Sequence, residues 1–198
     1  MHEKNNKSKS WIRKNITNIL FGAFALTILF VPQAKSWFIR QVASTGIMNA
    51  SLKEKGEFPA ADFSSVAFTD GQGKNYTLGE LQGKVVFINF WASWCPPCRA
   101  EFPSIEKFYS KYKEEENLVF LTVNMDQDPA LGKAYLEKEH LSVPFVLPGG
   151  DIPSELFEGA LPTTLLLDKE GTIRMRHTGA GDYSKSSFYS KVEQLLRE

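Results

Sequence analysis

Residues 83–92 read GKVVFINFWA, a run whose eight positions from Val85 to Ala92 are apolar apart from Asn89. A strand that alternated apolar and polar residues could leave one face in water. This one does not alternate, so it predicts a strand buried on both faces. The run leads straight into SWCPPCR, which holds Cys95 and Cys98, the only two cysteines of the 198 residues. Beyond them Phe102, Ile105, Phe108 and Tyr112 recur at helical spacing with Lys, Glu and Ser between, predicting a helix over 97–113. Both cysteines therefore lie where a buried strand hands over to the first turn of a helix.

The rest of the soluble part fits a sheet built around that strand. VAFTDGQGKNYTL alternates around an Asp70-Gly71 turn and reads as a hairpin. LVFLTVNMD reads as a second buried strand. Pro129–Glu139 reads as a helix with proline in its first turn. SVPFVL is too short to place. LPTTLLLDKEGTIRMRHTG gives two strands joined by an Asp168–Gly171 turn, and Phe188, Val192, Leu195 and Leu196 line one face of a last helix. This order predicts an α/β fold, a central mixed sheet with helices on both faces.

A cysteine at a helix N-terminus feels partial positive charge and free N–H groups, which favour the thiolate that attacks disulfides. Cys98, one turn further in, can reach the sulfur of Cys95 and close the ring that releases a partner. The alternatives are two reduced core cysteines, or zinc. Zinc would need His140 or His177 as further ligands, and neither stands at finger-like spacing. Pro96 and Pro97 are tolerated in a first helical turn because neither has an N–H. They also remove two donors that would otherwise stabilise a thiolate at Cys95, leaving the Cys98 N–H as the main local one. Trp94, next to the reactive sulfur, reads as a partly exposed partner-binding surface.

The charge distribution separates an N-terminal region from the rest. The chain carries 23 basic and 23 acidic residues, yet residues 1–40 hold seven basic groups against Glu3 alone. What remains carries about six net negative charges, which excludes a basic nucleic-acid-binding face. Ile16–Val31 is sixteen residues without a charge, following five basic residues. At about 1.5 Å per residue it spans about 24 Å. Snorkelling Lys and Arg stems, Trp11 and Ile12 lengthen it toward the ~30 Å hydrocarbon core. A cleaved signal peptide would need a small residue at −3 from Ala34, where Pro32 stands. The expected organisation is a basic cytoplasmic tail (1–15), a transmembrane signal anchor (16–31), a linker (32–59) and one catalytic domain (60–198). By the positive-inside rule that domain lies across a bacterial inner membrane on the periplasmic or other extracytoplasmic side, where disulfides persist.

GKVVFINFWASWCPPCRAEFPSIEKF and LPTTLLLDKEGTI, with the anchor-plus-linker layout, resemble the thioredoxin superfamily, in particular its membrane-anchored TlpA/ResA-like thiol-disulfide oxidoreductases. The resemblance covers about residues 58–198. It implies a thioredoxin fold, with Cys95 as nucleophile, Cys98 as resolving cysteine and a disulfide between them. It also implies a cis-proline loop at Leu161-Pro162 facing the cysteines, whose backbone edge would take up a partner segment as an added strand. Thioredoxins carry a buried aspartate where this chain has Asn89, which does not titrate. Glu101, leaning back toward the helix start, matches the acidic residue of the ResA-like branch and would act as base for Cys98. Its alternative is a solvated helix glutamate.

The function expected is a reductase of protein disulfides, fed by a membrane electron donor, with no cofactor and no metal. Two other readings use the same fold. A peroxidase of the peroxiredoxin kind needs a threonine three residues before its cysteine, where Ala92 stands. A copper chaperone would need a third ligand, and only His177, otherwise read as ordinary surface, is available.

Overall fold

The computed structural model describes residues 61–198, together with Asn15, Ile16 and Asn18. Those three apart, the tail, anchor and linker expected over 1–59 lie outside the described residues. No helix among the described residues is long and apolar enough to cross a membrane.

Seven strands form one sheet: β1 (Ala67–Asp70), β2 (Asn75–Thr77), β3 (Val85–Trp91), β4 (Leu118–Asn124), β5 (Phe145–Pro148), β6 (Thr163–Leu167) and β7 (Ile173–Thr178). Three α-helices accompany them: α1 (Pro96–Tyr112), α2 (Pro129–Lys138) and α3 (Ser186–Arg197). The spatial order is β2-β1-β5-β4-β3-β6-β7. β3, β4 and β5 run parallel, while β6, β7, β1 and β2 pair antiparallel, so the sheet is mixed. β3 lies inside the sheet between β4 and β6 and every one of its residues is buried, as its lack of alternation predicts. The segment SVPFVL supplies β5, held between β4 and β1.

Helices on both faces were expected; the described residues place all three on one. Odd-numbered residues of β3 (Val85, Phe87, Trp91) pack with Phe102, Ile105 and Phe108 of α1, Tyr135 and Leu136 of α2, and Phe188, Val192 and Leu195 of α3. Even-numbered residues (Val86, Ile88, Phe90) pack under Phe63, Val66, Leu78 and Leu156, which belong to loops and a single 3-10 turn at Leu78–Leu81. The reason is topological. From β3 to β4 to β5 the chain steps twice in the same direction, and right-handed crossovers then put α1 and α2 on the same side. The return to β6 runs through GGDIPSELFEGALP, which makes one turn at Pro153–Phe157 and no α-helix.

Phe87 anchors the helical face, with ring centroids 5.3 Å from Phe108, 5.8 Å from Phe120, 5.5 Å from Tyr183 and 6.3 Å from Phe188. Burying one such side chain contributes about 1.5–3 kcal/mol. This packing holds α1, and with it the cysteines, against the end of β3.

Candidate active site

Cys95 is the N-cap of α1, with extended backbone (φ −85°, ψ 108°), and Pro96 and Pro97 open the helix. With both prolines lacking an N–H, the Cys98 N–H is the donor that reaches the Cys95 sulfur, at 3.2 Å. Cys95 and Cys98 form a disulfide, their Cα atoms 5.3 Å apart. The sequence leads one to expect an exposed Cys95 above a buried Cys98. In the disulfide form both are buried, Cys95 at 3% exposure and Cys98 at none, so the difference is small. The exposed member of the motif is Trp94, at 66%, whereas Trp91 is fully buried and donates its Nε1–H to the Thr122 carbonyl.

The turn before Cys95 is fixed from β4. Ser93 donates its N–H to Asp126 Oδ2 (3.0 Å) and its hydroxyl to Oδ1 (3.0 Å), and Asn124 Nδ2 donates to Oδ2 (2.8 Å). Asn124 in turn fills the space beside Gly132 of α2, where a Cβ would fall 2.5 Å from its amide nitrogen. Nothing in the sequence signals this clamp beyond the pattern Asn124-x-Asp126 at a strand end.

Glu101 is not a solvated helix residue. It is 1% exposed, one turn along α1 from Cys98, and its carboxyl is held from β3 and from the turn after β7. Asn89 Nδ2 donates to Oε1 at 2.6 Å and to the Thr164 hydroxyl at 2.9 Å, and the Gly181 N–H donates to Oε2 at 3.1 Å. Burial raises the Glu101 carboxyl from about 4.5 to about 8, against the opposing pull of the Gly181 and Asn89 hydrogen bonds. Asn89, unable to titrate, thus holds the one carboxyl of this cluster. Thr164, Gly181 and Tyr183 complete the surroundings, and the sequence singled out none of them.

The Leu161–Pro162 peptide is cis. Pro162 is buried and its carbonyl accepts the Gly179 N–H at 2.8 Å, while the half-buried Leu161 enters no backbone hydrogen bond among the described residues. His177, opposite Thr164 in the β6–β7 register, is turned to the Ala180 carbonyl at 3.3 Å. Ala92 offers Cys95 only its backbone carbonyl, which accepts the Cys95 N–H at 3.2 Å. Among the described residues no three His, Cys, Asp or Glu side chains gather as a metal site.

A helix-capping cysteine pair one turn from a buried carboxyl is an arrangement for exchanging thiols and disulfides. Residues 53–192 match the family model described as Redoxin. The chain belongs to the Redoxin family. This redoxin is 30% identical to thiol-disulfide oxidoreductase ResA of Halalkalibacterium halodurans over 174 residues, 87% of this chain and 88% of that one. To ResA of Geobacillus kaustophilus it is 35% identical over 121 residues, 61% of this chain and 67% of that one. Among solved structures it is similar to a Chlorobium tepidum chain assigned as the thiol:disulfide interchange protein DsbE. That match has TM-score 0.59 and 26% identity over 71% of this chain and 99% of that one. It is also similar to StoA from Bacillus subtilis, with TM-score 0.50 and 26% identity over 70% and 98%. The redoxin is thus a TlpA/ResA-like member of the thioredoxin superfamily and an oxidoreductase of the thiol-disulfide class.

Proposed function

We propose that this redoxin is a membrane-anchored reductase of protein disulfides on the extracytoplasmic side, with Cys95 as nucleophile, Cys98 as resolving cysteine and Glu101 as base. The observation that carries the assignment of roles is Glu101 itself. A base for Cys98 is needed when the protein's own dithiol is being oxidised, and a carboxyl that titrates at about 8 takes a thiol proton near neutrality far better than one at 4.5. The direction rests on the two prolines. A strong oxidant stabilises its reduced thiolate, and here a single N–H is left to do so.

The cycle begins with the dithiol. The Cys95 thiolate attacks one sulfur of a partner disulfide; the new Cys95–partner bond forms, the partner S–S bond breaks, and one partner sulfur leaves as thiolate. Cys98 then gives its proton to Glu101 and attacks the Cys95 sulfur. This forms the Cys95–Cys98 disulfide and releases the second partner thiolate. Two electrons have passed to the partner, and a membrane dithiol donor restores the starting state. Trp94 and the Leu161 backbone edge would hold the partner segment, with Pro96 and Pro97 shaping the floor between them.

The test is the redox state of the cysteines in living cells, trapped by acid and read by alkylation. A reductase stands mostly as dithiol; a chain found mostly as disulfide overturns the direction. A membrane-impermeant alkylating reagent added to whole cells should label Cys95, and protection until lysis would overturn the location. Cys98→Ser should accumulate mixed disulfides with proteins, and Cys95→Ser should not.

A further inference from the structure

Pro103 stands inside α1. It has no N–H to close the helical bond to the carbonyl four residues back, so α1 loses one of its own ties in the stretch that presents Glu101. Glu101 and Ser104 lie on either side of this proline and, at i and i+3, on one face of the helix. Both reach the turn formed by Gly181, Asp182 and Tyr183. Glu101 Oε2 accepts the Gly181 N–H at 3.1 Å. Ser104 Oγ accepts the Tyr183 N–H at 3.1 Å, donates to the Glu101 carbonyl at 2.8 Å and lies 3.4 Å from the Gly181 carbonyl. The turn thus hangs from α1 by two N–H groups, one on a carboxyl and one on a hydroxyl.

A serine inside a helix commonly returns its O–H to a carbonyl one turn back, as Ser190 does to Ser186 at 3.1 Å. Ser104 does this too, and its lone pairs then serve as acceptors for a second element. The residue it takes hold of is itself fixed. Tyr183 is 2% exposed, and its ring meets Phe87 and Phe188 edge-on, with centroids 5.5 and 5.2 Å away. That ring lies across Gly181, where a Cβ would come within 2.6 Å of the phenolic oxygen. Only Asp182 separates the two N–H groups, so where Ser104 holds one decides where the other points.

We propose that Ser104 is a positioning residue for Glu101, its hydroxyl holding the turn 181–183 against α1 so that the Gly181 N–H stays on Glu101 Oε2. The proposal rests on the reading of Glu101 as base for Cys98 and names what sets the strength of that base. The Gly181 hydrogen bond favours the ionised carboxyl and opposes the effect of burial. Loosening the turn therefore makes Glu101 hold its proton more tightly. The other elements around Glu101 present few competitors. β3 and β6 offer Asn89 and Thr164, which do not titrate; α1 offers Cys98. The Tyr183 phenol is kept neutral by burial. His177 on β7 is engaged by Ala180, and Asp182 accepts from Ser184 at 2.7 Å.

The experiment follows the Glu101 carboxyl by carbon NMR in the full chain, its signal assigned by its loss in Glu101→Gln. Ser104→Ala should raise the Glu101 midpoint by about half to one pH unit, a three- to tenfold gain in proton affinity, because the ionised form loses its fixed donor. Ser104→Thr keeps a hydroxyl that can bond one turn back and should restore the unmutated midpoint. An unchanged or lowered midpoint in Ser104→Ala, or an equal rise in Ser104→Thr, overturns the proposal. In the unmutated chain the Gly181 and Tyr183 amide protons should exchange with solvent through one shared opening. A Gly181 amide that opens while the Tyr183 amide stays closed overturns the proposal without any variant. The pH profile of disulfide exchange separates the two readings. If the carboxyl midpoint moves in Ser104→Ala while the exchange profile stays, the link from Ser104 to Glu101 stands and the assignment of Glu101 as base falls.

Discussion

Asp126 receives both the backbone N–H and the hydroxyl of Ser93, each at 3.0 Å, so the end of β4 holds the turn that delivers Trp94 and Cys95. Asp126 is 8% exposed, and truncating it leaves those donors and the Asn124 amide without their acceptor. Asp126→Ala should cost about 2–3 kcal/mol, the scale of unsatisfied buried partners of a charged group. Urea unfolding of the disulfide form would measure it. A loss below about 0.5 kcal/mol would mean the clamp is dispensable.

Gly132 extends the same chain of contacts into α2. A methyl group there would overlap the Asn124 side chain at 2.5–2.7 Å. Gly132→Ala should therefore destabilise by about 1–3 kcal/mol through overpacking, although alanine is the better helix former by about 1 kcal/mol. Thermal unfolding decides the sign, and a stabilised variant would show that Asn124 moves aside freely.

Glu101 predicts an unusual dependence of stability on pH. Its folded-state carboxyl titrates at about 8, above the ordinary value of 4.5, so the folded chain binds the proton more tightly. That stabilisation is complete below about 4.5 and is lost as pH rises through about 8. Unfolding free energy should fall between those limits by a few kcal/mol, and Glu101→Gln should flatten the slope. Denaturant titrations at a series of pH values would show it; an equal slope in both proteins would place the proton elsewhere.

Much of this arrangement is legible in the chain, and the illegible parts share a cause. The unbroken apolar run of β3 gives a strand buried on two faces, and the cysteines' place after it gives the N-cap. Glu101 is recognisable by its place one turn beyond Cys98, but its burial is not, because β6 and the turn after β7 supply the walls from about 60 to 80 positions away. Tyr183 has no periodic neighbours to mark it as core. The one-sided helices are equally hidden: local pattern announces α1, α2 and α3 but not the direction in which the chain steps across the sheet. β5 is four residues long, and its pairing with both β4 and β1, rather than its composition, makes it a strand.

Trp94 should divide stability from exchange. At 66% exposure it lends little to the fold, so Trp94→Ala should leave unfolding within about 0.5 kcal/mol. If Trp94 is the surface that receives partners, exchange with a protein disulfide should slow several-fold while exchange with a small dithiol stays the same. Stopped-flow fluorescence with both substrates would test this, and equal slowing of the two would make Trp94 a part of the sulfur chemistry.

The alternation along β3 gives each position a different genetic fate. Positions 86, 88 and 90 look toward the face without helices, and a damaging substitution there should lower cellular abundance and activity together. Position 89 looks toward α1, and its amide holds the Glu101 carboxyl in addition to filling space. A scan of all substitutions in this strand, read for abundance and activity in parallel, should separate the two measures at Asn89 and nowhere else among these four.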